Sequence, residues 1–126
     1  MAEALHKAAR KGDLARLQRL LKKPGVDVDA RNLGDWTALH LAAKFGRTAC
    51  LQALLAAGAS VHARTKFWGQ NALYLAMGRK GNPACVHALI AAGSAVNSRN
   101  GMGWTPFLRA IDNSCYFKRV CIWQLG

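Results

Sequence analysis

Leu5, Leu39, Leu73 and Phe107 recur every 34 residues, and a period of that length marks a chain that stacks one small unit several times. Each residue of this series is followed at the same offset by a small or apolar pair: Ala8-Ala9, Ala42-Ala43, Ala76-Met77 and Ala110-Ile111. Such spacing puts one apolar face on a short helix. A second series, Leu17, Leu51, Val86 and Val120, lies 12 or 13 residues further on. In three units it continues as Leu20-Leu21, Leu54-Leu55 and Leu89-Ile90, so a second helix follows the first.

Punctuation falls where two antiparallel helices need it. Gly12, Gly46 and Gly81 separate the helices of a pair, and Gly25, Gly58 and Gly93 close the second helix; glycine accepts the left-handed backbone that ends helices. Three residues after each of the latter glycines stands a valine (Val28, Val61, Val96), and six residues after it an arginine (Arg31, Arg64, Arg99). A loop with such fixed chemistry is expected to be structured. Asp13, Thr37, Asn71 and Thr105 are the expected helix caps, Pro106 takes a first helical position, and Asn82-Pro83 opens another helix in the same way.

These residues resemble the ankyrin repeat, whose consensus runs approximately T-P-L-H-x-A-A-x-x-G and then L-L-x-x-G-A-x-V-N-A. The best-matching stretches are Thr37-Ala38-Leu39-His40-Leu41-Ala42-Ala43 with Gly46, the run from Leu54 to Ala63, and Thr105-Pro106-Phe107. The resemblance covers almost the whole chain and implies an all-α helix-turn-helix solenoid with β-hairpin-like loops. As a single domain, 1–126, it divides into four units at about 1–31, 32–64, 65–99 and 100–126, the last incomplete. Lys7 stands where the family carries an apolar residue, as expected of a solvent-facing terminal unit. Unit three carries one extra residue around Lys66-Phe67-Trp68 and another in the turn Gly78-Arg79-Lys80-Gly81. In unit four the glycine turn is missing, and Phe117, Val120, Ile122 and Trp123 of the segment from Tyr116 to Trp123 have no following repeat to cover them. That segment is either an improvised cap or the point where a longer array continues.

Composition narrows the functional classes. An apolar fraction of 52% supplies enough core material for folding. No apolar run reaches the roughly 18 residues of a membrane-spanning helix, and Met1 to Lys11 lacks the apolar centre of a secretory signal. A cytoplasmic or nuclear address is therefore expected, with the four cysteines Cys50, Cys85, Cys115 and Cys121 reduced. Eighteen Lys+Arg against six Asp+Glu give a net charge of +12, which attracts acidic proteins, nucleic acids or anionic surfaces without choosing among them.

Catalytic chemistry finds little support. His6 and His40 occupy the consensus T-P-L-H position, where the resemblance implies an imidazole bonded to the backbone of neighbouring turns. His62 and His87 have no sequence-local acid or nucleophile beside them. Cys50 and Cys85 fall at equivalent positions of successive second helices, which predicts packing rather than metal ligation. The six carboxylates are scattered among turns and caps; Asp27 and Asp29 are read as a solvated loop pair, not a Ca²⁺ site. Gly101-Met102-Gly103 is placed at a hairpin tip and makes no phosphate cradle. The expectation is a non-enzymatic chain with no cofactor and no metal.

What remains is a surface. The resemblance implies a concave groove, lined by hairpin tips and the exposed side of each first helix, that holds protein partners. Position by position, it presents Arg10, Lys11, Leu33, Trp36, Lys44 and Phe45, then Lys66, Phe67, Trp68, Gln70, Arg79 and Lys80, and finally Met102, Trp104, Asp112 and Asn113. Aromatics and arginines dominate binding hot spots, which makes Trp36, Phe67, Trp68 and Trp104 the preferred anchors. For Trp36 and Trp104 the competing role is packing against the next hairpin. The first unit's Lys7, Arg10, Lys11, Arg16, Arg19, Lys22 and Lys23 are read as a solvated face. The expected function is monomeric binding of an acidic or mixed protein segment. The rivals are nucleic-acid or anionic-surface binding through the basic face, or service as the N-terminal part of a longer array. Replacing Phe67 and Trp68 together by Ala is expected to weaken capture of the protein's partners in a pull-down at fixed salt, with the melting temperature nearly unchanged.

Overall fold

Asp13, Thr37, Asn71 and Asn82 each open a helix. The computed structural model describes residues 2–66, 68–78 and 82–93. It contains α1 (Ala2–Lys11), α2 (Leu14–Leu21), α3 (Ala38–Lys44), α4 (Thr48–Ala56), α5 (Ala72–Ala76) and α6 (Pro83–Ala91). The Asp13 carboxylate accepts the Arg16 amide at 3.1 Å, Thr37 Oγ1 the His40 amide at 3.3 Å, and Asn71 Oδ1 the Tyr74 amide at 2.9 Å. Asn82 Oδ1 takes the Ala84 amide, with Pro83 at the start of α6. Each bond satisfies an amide that the first helical turn leaves without a backbone partner. Arg47 precedes α4 and has no acceptor to offer; its Nε instead donates to the Arg10 carbonyl at 3.0 Å, tying the second hairpin to the end of α1.

The helices pair as α1–α2, α3–α4 and α5–α6, and the pairs stack with α3 between α1 and α5 and α4 between α2 and α6. Leu5, Leu39 and Leu73 and the alanines Ala8, Ala9, Ala42, Ala43 and Ala76 bury the inner row, while Leu17, Leu51, Leu54, Val86 and Leu89 bury the outer one. Small residues let the first helices approach closely, and each buried leucine stabilises the stack by roughly 1.5–3 kcal/mol. Cys50 and Cys85 are both buried, as their register predicts. Burial pushes both thiols up, and Cys85 Sγ lies 3.3 Å from Thr48 Oγ1. Gly12 has φ +77°, and a β-carbon there would approach within 2.9 Å of Arg47 Cδ. A side chain at that turn would disturb the tie between the first two hairpins.

Among the described residues the loops contain no strand, yet they are bonded like hairpins. The Asn32 amide donates to the Trp36 carbonyl at 3.1 Å, and Asn32 Oδ1 accepts the Gly34 and Trp36 amides at 3.0 Å each. In the next loop the corresponding bond runs from the Thr65 amide to the Gln70 carbonyl at 2.9 Å. That closure spans one more residue, the insertion expected around Phe67. Successive loops are also fastened to each other. Lys66 donates its amide to the Gly34 carbonyl at 2.8 Å, and Arg31 Nη1 donates to the Arg64 carbonyl at 3.1 Å. Asp29, which sequence reads as solvated, accepts the Ser60 amide at 2.8 Å. It is a tie between units, invisible until the next loop is placed against it.

Asp35 and Gly69 stand one before Trp36 and Gln70 and share a left-handed backbone, with φ of 59° and 57°. Trp68 precedes Gly69 and also has positive φ, 72°, although it is bulky and 56% exposed. Phe67, the turn 79–81, residues 94–126 and hence the whole fourth unit, the Tyr116 to Trp123 segment included, lie outside the described residues. Left-handed backbone costs an L residue roughly 1–2 kcal/mol that glycine does not pay, partly offset by glycine's extra freedom when unfolded. Trp68→Gly is therefore expected to raise unfolding stability by about 1 kcal/mol in urea titration, a gain that an unstrained Trp68 would not give.

Candidate functional site

Two hollows on the inner-helix side share a wall. Glu3, His6, Lys7, Arg10, Asn32 and Leu41 line the first, about 320 Å³, and Arg10, Asn32, Trp36, Leu41, Lys44 and Phe45 line the second, about 270 Å³. Arg10, Asn32 and Leu41 belong to both, so the two form one trough between α1, α3 and the loop at 32–36. Its walls carry Lys7, Arg10 and Lys44 against the single carboxylate of Glu3. Lys7 and Arg10 are exposed one turn apart on α1, and Lys44 is the exposed last residue of α3. A larger hollow of about 560 Å³ lies on the outer helices, lined by Gln52, Pro83, Ala84, His87, Ala88 and Ala91. It has neither formal charge nor a large aromatic to orient a ligand, and the trough has both.

Trp36 is half-buried and held from three sides. Its amide is bonded to Asn32, a β-carbon on Gly34 would meet its Cδ1 at 3.0 Å, and its ring meets His40 edge-on with centroids 6.0 Å apart at 64°. These contacts with Asn32, Gly34 and His40 lie within its own unit rather than on the next hairpin, and Trp36 also lines the second hollow. Lys44 Nζ lies 5.1 Å from the Trp36 ring centroid and 5.6 Å from that of Phe45. At an exposed site such cation–π contacts contribute roughly 0.5–1 kcal/mol each.

His40 explains the rigidity beneath the trough. Its Nδ1 accepts the Thr37 amide at 2.9 Å, so the proton sits on Nε2, which lies 2.9 Å from the Ala63 carbonyl and donates to it. One imidazole thus closes the start of α3 and pins the loop that leads into the next unit. His6 repeats the outer half of this arrangement, with Nε2 2.9 Å from the Ala30 carbonyl. Structural roles for both histidines follow the sequence reading. Burial holds the His40 pKa down at about 4, with the positive charge of Arg31 acting in the same direction and the Ala63 bond opposing it.

Of the residues expected to bind, the structure gathers Arg10, Trp36, Lys44 and Phe45 around the trough. Leu33 projects from its loop, 99% exposed, and Lys66, Trp68 and Gln70 occupy the adjacent loop, with Trp68 and Lys66 exposed and Gln70 half-buried. Lys11 is exposed at the end of α1 and lines neither hollow. Phe67, Arg79, Lys80, Met102, Trp104, Asp112 and Asn113 fall outside the described residues. Sequence reasoning misses Glu3, Asn32 and Leu41 as lining residues, and it places Lys7 on a solvated face. The signal that could have found them is register: Lys7, Leu41 and Leu75 are equivalent positions, and the first two face the trough. Asn32, two residues before a glycine, is the side chain that shapes the loop.

Comparison with known proteins bears on this geometry. A family model described as "Ankyrin repeats (many copies)" matches residues 5–55, and one described as "Ankyrin repeat" matches residues 68–101. The chain belongs to the ankyrin repeat family. It is 35% identical over 74 residues, 59% of its length, to the bovine (Bos taurus) SMC5-SMC6 complex localization factor protein 1. It is 44% identical over 64 residues, half its length, to 2-5A-dependent ribonuclease of Mus musculus. With ankyrin repeat domain-containing protein 29 of Danio rerio, identity is 42% over 62 residues, 49% of the chain. These matches span only 7%, 9% and 21% of the respective relatives.

The ankyrin fold is a non-catalytic interaction fold, and this array is an all-α protein-interaction module. Among the described residues no three His, Cys, Asp or Glu side chains gather as a metal site, and no helix is long and apolar enough to cross a membrane.

The ankyrin array's His40 generates a defined acid response. An unfolded histidine takes up its proton near pH 6.5 and the folded one only near 4. The unfolded state therefore binds more protons between those values, so stability is full above pH 6.5, falls toward pH 4 and levels off below. The loss attributable to His40 is expected to be ~3 kcal/mol. In urea titrations across that range, His40→Gln should start less stable and lose this part of the slope.

Proposed function

We propose that this ankyrin array acts by binding rather than catalysis, and that its ligand is an acidic segment of a protein partner laid in the trough between α1 and α3. The observation that carries this reading is the composition of the trough: three cations against one carboxylate, beside the indole of Trp36 and the ring of Phe45. Carboxylates of the segment pair with Lys7, Arg10 and Lys44, while apolar side chains rest on Leu41, Trp36 and Phe45. The +12 charge speeds encounter through long-range attraction, and the apolar contacts set residence time. Exposed Leu33 and Trp68, with Lys66 and Gln70, extend the contact along the loops. Repeat register alone, outside the described residues, assigns Phe67, Arg79, Lys80, Met102 and Trp104 to the same partner, while Lys11 adds charge at the end of α1. The unit boundaries at about 31, 64 and 99, a monomeric state and a cytoplasmic or nuclear setting belong to the same reading.

Charge reversal tests it. A fluorescein-labelled peptide of alternating glutamate and leucine is expected to bind the wild type in fluorescence anisotropy at physiological salt. The double variant Lys7→Glu, Arg10→Glu should bind it at least about tenfold more weakly, because two attractions become repulsions. Equal affinity for both proteins would remove the trough from the interface. A single-stranded oligothymidylate bound more tightly than the peptide would favour the basic face as a nucleic-acid surface.

A further inference from the structure

The second half of the trough is already occupied from within. Lys44 Nζ stands 5.1 Å from the Trp36 ring centroid and 5.6 Å from the Phe45 centroid. Its ammonium therefore covers aromatic surface that an apolar ligand side chain would need. Trp36 is fixed in place through its bonded amide and its edge contact with His40. Lys44 is the adjustable member, with a four-carbon stem at the exposed last position of α3. Once moved off the rings, its charge is left to water or to a counter-ion. The other residues lining this hollow are Arg10, Asn32 and Leu41, and none is a carboxylate. Within this hollow a carboxylate has to arrive with the ligand, since Glu3 lines the other one.

We infer that Lys44 gates the aromatic half of the trough, so that the site selects a protein segment in which a carboxylate lies next to a large apolar side chain. The carboxylate draws the ammonium away, and the apolar side chain takes its place over Trp36 and Phe45. A segment with only one of the two features gains little. An acidic stretch draws Lys44 off the rings but puts nothing apolar in its place, and an apolar stretch has to displace the cation into water and forfeit its ring contacts. The inference rests on the acidic-segment reading of the trough, and adds to it an order of events and a requirement for both chemistries.

Three labelled synthetic peptides and an all-serine reference distinguish the outcomes: glutamates flanking a leucine, the same peptide with the leucine replaced by serine, and the same peptide with the glutamates replaced by serine. The wild type is expected to bind the first more tightly than the product of the two separate gains predicts. In Lys44→Ala the rings are uncovered. The leucine-only peptide should then bind roughly two- to fivefold more tightly than it does to the wild type, the size of one exposed cation–π contact, while the advantage of adding glutamates shrinks. Lys22→Ala, which removes an equal charge at the end of α2, should leave the ranking of the peptides unchanged. The Trp36 indole N–H resonance should move in the same direction in Lys44→Ala as in the wild type saturated with the first peptide. If Lys44→Ala weakens the glutamate peptides and leaves the leucine-only peptide unchanged, Lys44 is a simple cationic contact and the gate is overturned while the trough stands. If the wild type binds none of the three, the acidic-segment reading fails and the gate with it. Displacement of the first peptide by an equally charged oligothymidylate at similar concentration would overturn the requirement for a protein segment.

Discussion

Each helical hairpin in this array has one oily flank and no means of covering it alone. The flank of α1 is closed by α3, that of α3 by α5, and the outer helices follow in parallel. Ala8, Ala9, Ala42 and Ala43 make the approach close enough to exclude water, and Leu5, Leu39 and Leu73 fill what the alanines leave. Because this burial is the dominant stabilising term, the side chains facing away from it are released from packing duty. Lys7, Arg10 and Lys44 can gather on one open wall because none of them is needed to hold the helices together.

Local rules are legible in the chain of amino acids itself. Periodic leucines locate the helices, and the cap side chains Asp13, Thr37, Asn71 and Asn82 each accept the amide expected of them. The extra residue near Phe67 shows as a longer spacing from the loop arginine to the helix cap, Arg64 to Asn71 against Arg31 to Thr37, and appears in the fold as a longer loop closure. Features that depend on one unit meeting the next are not legible. Asp29 resembles a solvated loop acid because its partner, the Ser60 amide, lies 31 residues away. Nothing beside Arg47 in the chain hints that it reaches back to the Arg10 carbonyl.

The site divides along the same line. Arg10, Trp36, Lys44 and Phe45 can be named from repeat register, because register specifies which face a residue occupies. Register does not specify depth, so Leu41 and Asn32 escape notice although they form the floor and rim shared by both hollows. Lys7 reads as surface charge because it belongs to the first unit's set of cations; Leu41, which lines the same hollow, comes from the adjacent unit. Trp36 resists a single label because the indole both leans on His40 and offers a face to the trough.

The bonds between successive loops carry a consequence for how such a surface can diversify. The Lys66 amide on the Gly34 carbonyl and the Arg31 guanidinium on the Arg64 carbonyl make the loops behave as teeth of one comb, with a pitch set by the stacked helices behind them. One tooth is a residue longer than its neighbour, yet the crossbar that joins them is intact. Reach and spacing are thus separate variables: an inserted residue lengthens a tooth outward while the backbone ruler keeps its graduation, and new contours can be tried without recutting the core.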